Sequence, residues 1–138
     1  MTSFHFDLIT PKGFVFSGEV DQVDLPGAEG DFGVLAAHAP FVTTLRPGIV
    51  TIHGGGDVRM VVNGGFAEVG ATGLNVLADL AMPVEDFDRA QLAQEIKNIE
   101  EDAADTKDER VRDKLVHRLA MLNALAKTLE YEVPQSYA

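Results

Sequence analysis

All 13 glycines of this 138-residue chain lie before Val84, and none follows it. Glycine permits the tight turns that join short strands, and inside a helix it costs about 1 kcal/mol relative to alanine. The first part of the chain is therefore punctuated for strands and the rest is free to be helical. This predicts two units, residues 1–84 and 85–138.

Up to residue 84 the apolar residues come in short runs bounded by Gly, Asp and Pro. In Phe4 to Ile9 the alternation puts Phe4, Phe6 and Leu8 on one face. Further runs are Gly13–Phe16, Val20–Leu25, Gly33–Leu35, Phe41–Leu45, Ile49–Ile52, Val58–Val62, Phe66–Val69 and Leu74–Leu77. The links between them are too short for crossover helices, which excludes a parallel α/β sheet and predicts an all-β sandwich or flattened barrel. Gly54-Gly55-Gly56-Asp57 reads as a turn, because no Lys-Ser/Thr follows to complete a phosphate loop. Asn63-Gly64-Gly65 reads as a second turn. In the strand after it, Phe66 and Glu68 share one face while Ala67 and Val69 take the other.

From Glu85 the period changes. Phe87, Leu92, Ile96, Ile99 and Ala103 follow helical spacing after a start signal at Pro83 and Asp86. Asp102 to Asp108 interrupts the stripe, and Val111, Leu115, Leu119, Leu122, Leu125, Ala126 and Leu129 form a stronger one that ends before Pro134. Two amphipathic helices with a short link predict an antiparallel two-helix hairpin.

Composition narrows the function classes. Asp+Glu 22 against Lys+Arg 11 gives a formal charge of −11, which opposes nucleic acid and anionic lipid as partners. There are no cysteines, and His5, His38, His53 and His117 show no metal-ligand spacing, so no metal site is expected. No apolar run is long enough to span a bilayer, and the N-terminus lacks the features of a leader, so no direct membrane insertion is expected.

Several segments in order then carry a resemblance: FSGEV (Phe16–Val20), LPGAEGDFGVL (Leu25–Leu35), His38-Ala39-Pro40, Arg46-Pro47-Gly48, NGGFAEV (Asn63–Val69) and VLAD (Val76–Asp79). Together they resemble the epsilon subunits of bacterial F-type ATP synthases, in motif over about the first 90 residues and in pattern over the helical tail. The resemblance implies an N-terminal β-sandwich of about ten strands that binds the gamma subunit and the ring of c subunits, followed by a regulatory helical hairpin. It implies a non-catalytic central-stalk subunit of a proton-translocating complex, coupling ring rotation through gamma to ATP synthesis. Its place would be peripheral, on the cytoplasmic face of the bacterial inner membrane. Two other classes are weighed against it: a free-standing β-sandwich binding module with a helical dimerisation hairpin, and an enzyme using carboxylates of the Gly-rich loops. No carboxylates pair at a defined spacing to favour the enzyme.

The resemblance also assigns residues. In the loop holding Gly27, Gly30 and Gly33, positive φ is expected at the glycines and Glu29 and Asp31 stand at an exposed tip. The family implies that this acidic loop, with Asp31 foremost and His38 supporting it, faces the basic polar loops of the c ring. Phe66 and Glu68 are the implied gamma contacts. On the second helix Arg110, Arg112 and Arg118 make a locally basic face, which in the family reaches the beta and alpha subunits and restrains ATP hydrolysis. The bland reading of that face is solvated i,i+4 pairing such as Asp108 with Arg112. Some members bind ATP through an apolar-Asp-x-x-Arg-Ala motif at the helix entry, which makes Asp88 and Arg89 the candidates. Gln91 and Leu92 replace the motif's Arg and Ala, and Arg89 points about 200° away from Gln91. Glutamine lacks the forked cationic grip on phosphate, so no nucleotide cofactor is expected. The three acids Glu85, Asp86 and Asp88 are accounted for by the electrostatics of a helix start.

Overall fold

The structure is a computed structural model that describes residues 2–37 and 39–130. It divides into two compact units, Met1–Asp86 and Phe87–Ala138.

The first unit is the expected all-β domain, with eight strands among the described residues: β1 (Phe4–Thr10), β2 (Gly13–Val20), β3 (Gln22–Gly27), β4 (Gly30–Leu35), β5 (Phe41–His53), β6 (Val58–Gly70), β7 (Gly73–Ala78) and β8 (Ala81–Pro83). Their order is β2-β1-β7-β6-β5-β3-β4, with β8 on β6. Neighbours are antiparallel except β1 and β7, which run parallel.

The count is eight rather than about ten because two long strands serve both layers. In β5, Phe41–Leu45 pairs with Gly65–Val69, and Pro47–Ile52 pairs with Val58–Asn63. The late half of β6 also carries β7, and its early half carries β8. Arg46-Pro47-Gly48 and Asn63-Gly64-Gly65 thus face each other at a corner of continuous strands, where a turn was expected at the second. The burial period shifts there, as a strand changing layers requires. In β6 the inward residues are Met60 and Val62 before the corner and Ala67 and Val69 after it. Gly65 takes φ +133°, and a Cβ on it would stand 2.1 Å from the Leu77 carbonyl oxygen. No other residue type fits that backbone without displacement.

The core lies between the layers. Phe4, Phe6 and Leu8 of β1 meet Val23, Leu25, Val50, Ile52, Val62, Ala67, Leu74 and Val76, all buried. The predicted inward face of β1 is the observed one.

In the second unit α1 spans Arg89–Asp105 and α2 spans Glu109–Glu130. The helix start is later than Pro83 and Asp86 suggested: Val84–Asp86 forms a 3-10 turn, and the N-cap is Asp88, whose carboxylate accepts from Gln91 N. Asp88 alone of the three acids therefore caps the helix. The acidic stretch from Asp102 continues the helix as far as Asp105, since short acidic residues at an exposed face do not end one; the turn is confined to 106–108. Asp108 opens α2, its Oδ1 accepting from Arg110 N at 2.9 Å and from Val111 N at 3.4 Å. Arg89 lies against Leu129, Glu95 against Arg118 and Ala103 against Arg112, so the helices are antiparallel. Leu92, Leu122, Leu125 and Leu129 are buried.

Candidate functional site

Three places gather the residues singled out by sequence. The first is the β3–β4 hairpin. Its tip is Ala28-Glu29, both exposed, and Ala28 N donates to Thr44 O at 3.0 Å. Among Gly27, Gly30 and Gly33 only Gly30 has positive φ. Gly27 and Gly33 are required by space instead, since a Cβ on Gly27 would meet the Phe32 ring at 2.9 Å and one on Gly33 would meet Asp24 Oδ1 at 2.9 Å. Asp31 follows the tip as the second residue of β4, and Arg46 of β5 forms an ion pair with it while donating its other terminal nitrogen to Gly27 O. Glu29 has no ion-pair partner among the described residues, so it is the less committed of the two acids. His38 lies outside the described residues.

The second place is the outward face of the layer β5-β6-β7-β1-β2. Register aligns Thr44, Phe66, Leu77, Ile9 and Phe14 in one row across the five strands. Phe66 is 43% exposed, Leu77 41% and Phe14 68%, and Ile9 is half-buried between them. At a strand spacing of about 4.8 Å, Phe66 to Phe14 makes an apolar stripe ~15 Å long. The next row is Val42, Glu68, Asn75, Asp7 and Ser17, and it is mainly polar. Phe66 and Glu68 therefore share a surface, but Phe66 belongs to the apolar row and Glu68 to the polar one. Leu77, Ile9 and Phe14 escaped the sequence reading, although Leu77 stands opposite in phase to the inward Val76 and Ala78.

Beyond the polar row lies His5. Its Nδ1 is 2.9 Å from Glu19 Oε2 and its Nε2 is 2.9 Å from Asp7 Oδ1, which also accepts from Ser17 Oγ at 2.6 Å. The Glu19 carboxylate, then Asp7, raises the His5 pKa above its ordinary value. In the other layer His53 repeats the arrangement, with Nε2 2.8 Å from Asp24 Oδ2 and Nδ1 3.1 Å from Asp57 Oδ1. Asp24 chiefly raises its pKa. Such clamps join strands, and among the described residues no cluster of three or more His, Cys, Asp or Glu is arranged to hold a metal ion.

The third place is the helical unit. Arg110 is exposed and Arg118 Nη2 stands 3.6 Å from Glu95 Oε1. Arg112 does not use its side chain on Asp108. It reaches back to the end of α1, with Nη2 donating to Thr106 O at 2.5 Å and Nε to Ala103 O at 3.4 Å. The Asp108 carboxylate is already engaged by the backbone N–H groups of α2, whereas the last carbonyls of α1 have no partner within their helix and take the guanidinium. Of the nucleotide candidates, Asp88 caps α1 and Arg89 Nη1 donates to Leu129 O at 2.5 Å. No helix among the described residues is long and apolar enough to cross a membrane.

Comparison with known proteins gives one consistent family. The family described as ATP synthase, Delta/Epsilon chain, beta-sandwich domain matches residues 3–84. An ATP synthase epsilon chain of Nitrobacter winogradskyi is 48% identical over 130 residues, 94% of this chain and 96% of that one. One of Rhodopseudomonas palustris is 58% identical over 101 residues, 72% of this chain and 75% of the relative. Among solved structures, a chain of the Euglena gracilis mitochondrial ATP synthase assembly of OSCP, F1 and c-ring matches with TM-score 0.73 at 28% identity, covering 94% of this chain and 81% of that one. A chain of the Tetrahymena thermophila mitochondrial ATP synthase central stalk and c-ring shares the fold, with TM-score 0.61 at 13% identity over 91% and 97% of the two chains.

Proposed function

The chain belongs to the ATP synthase epsilon-chain family, and on that premise we propose that it is a non-catalytic central-stalk subunit of a proton-translocating F-type ATP synthase. In this reading the sandwich grips gamma and the c ring, and passes torque from ring rotation to a catalytic head formed by other subunits. The subunit sits peripherally at the cytoplasmic face of the bacterial inner membrane, held there by its partners.

The observation that carries the reading is the outward row of Phe66, Leu77, Ile9 and Phe14, set beside the polar row of Glu68, Asn75 and Asp7. Exposed apolar area in a contiguous stripe rimmed by polar groups is the composition of a protein–protein contact. Gamma is the partner assigned to it through Phe66 and Glu68. The acidic tip at Glu29, with Asp31 behind it, is assigned to the basic loops of the c ring; a net charge of −11 favours cationic partners over anionic ones. The hairpin is assigned a restraining role toward the beta and alpha subunits, with closed and extended forms, and of its three candidate arginines Arg110 is exposed and has no ion-pair partner among the described residues. No nucleotide cofactor is assigned. Supporting that, Asp88 and Arg89 are engaged at the helix ends, and Gln91 stands where the family motif needs arginine.

The test is a pull-down of the tagged chain from its native membranes. The wild type should bring gamma and the c ring. The F66T/L77T variant should bring down less gamma at a nearly unchanged thermal midpoint, because both positions are partly exposed and threonine suits a strand. Gamma retained at wild-type yield would overturn the assignment of this face.

A further inference from the structure

We propose that Arg89 and Arg112 form a reciprocal latch, each closing the hairpin by capping the C-terminal end of the other helix, and that this pair sets the balance between closed and extended hairpins. The proposal rests on the switching role given to the hairpin above.

The last four carbonyls of a helix have no partner within it, and they carry the negative end of the helix dipole. In an antiparallel pair the start of each helix lies beside the end of the other. Arg89 is the first residue of α1 and donates to Leu129 O in the last described turn of α2. Arg112 stands in the first turn of α2 and donates to Ala103 O and Thr106 O at the end of α1. A cation thus meets the C-terminal carbonyls at both ends of the hairpin. The Arg118 and Glu95 pair lies between them and is longer, at 3.6 Å. Both end contacts exist only while the helices are side by side. Extending α1 into α2 would carry Arg89 and Leu129 about 60 Å apart, at 1.5 Å per residue. Arg112 is therefore a closing residue of the hairpin itself, rather than a free contact for another subunit.

The chain has no cysteine, so A93C/K127C gives a unique labelled pair on the full-length protein. Dipolar spectroscopy on this background should show one short distance. R89Q/R112Q should move the closed-to-open ratio roughly tenfold toward open, and each single change about threefold. R112K should recover part of the loss, since an ammonium still donates but cannot fork. R118Q, which removes the longer mid-hairpin pair with Glu95, should shift the ratio less than either single change. An unshifted sandwich melting transition confirms that the variants fold. An unchanged distance distribution in R89Q/R112Q would overturn the latch. A hairpin that opens while ATP hydrolysis by the assembled enzyme stays constant would uphold the latch and overturn the switching role instead.

Discussion

Arg46 holds Asp31 from across the sheet, pairing with its carboxylate through one guanidinium nitrogen and with Gly27 O through the other. The residue that looked most suited to meet a basic partner is thus already paired with a cation of its own chain. The pair is solvent-facing, with Asp31 77% exposed, so it contributes only about 0–1 kcal/mol. Its consequence is for binding: Glu29, at the very tip, carries the uncommitted charge. E29Q should weaken c-ring retention on salt washing more than D31N does. The salt concentration that releases half of the c ring checks this, and a larger effect of D31N would return the leading role to Asp31.

The corner of β6 gives a stability prediction. Gly65→Ala places a methyl 2.1 Å from the Leu77 carbonyl oxygen at φ +133°, against backbone that cannot step aside. Strain at positive φ and displacement of the β6–β7 ladder together should cost about 3 kcal/mol or more. Urea denaturation of the purified chain measures it, and a cost under about 1 kcal/mol would mean that the corner can relax.

These two features mark what the sequence could and could not disclose. Alternation within β1 and after Gly65 gives the inward and outward faces directly, because strand periodicity is local. Glycine punctuation separates the strand unit from the helical one for the same reason. Register is not local. Phe66, Leu77, Ile9 and Phe14 become neighbours only through the β6–β7 and parallel β1–β7 pairings. Arg46 and Asp31 meet only because β3 lies between their strands. A glycine pair in a continuous ladder looks the same in sequence as one in a turn, which is why Asn63-Gly64-Gly65 reads as a break. On the helices, spacing places arginines on faces but does not say that a long side chain will turn to an uncapped carbonyl.

Removal of the hairpin tests how the two units divide the function. The buried cluster of the sandwich runs from Phe4 to Ala78, wholly within the first unit. Truncation after Asp86 should therefore leave the sandwich folded and gamma and the c ring bound, while ATP hydrolysis by the membranes rises. Unchanged hydrolysis with intact assembly would argue against a restraining tail.

The two histidine clamps predict how the sandwich responds to pH. Each imidazole presents both nitrogens to carboxylates, His5 to Glu19 and Asp7, His53 to Asp24 and Asp57. Only the protonated ring can donate to both; the neutral ring turns a lone pair toward one carboxylate oxygen. The carboxylates therefore raise both pKa values above their ordinary 6.5. A pKa raised on folding means that the stabilisation is complete below 6.5 and is lost as pH rises through the folded value. The thermal midpoint of the sandwich should fall as pH rises above about 6.5, beyond the carboxylate range and before lysine titrates. Both sites are open to solvent, so the fall should be small. In the H5Q/H53Q variant it should flatten, because glutamine keeps a polar contact without the titrating charge. A midpoint that falls as steeply in the variant as in the wild type would place the titrating groups elsewhere.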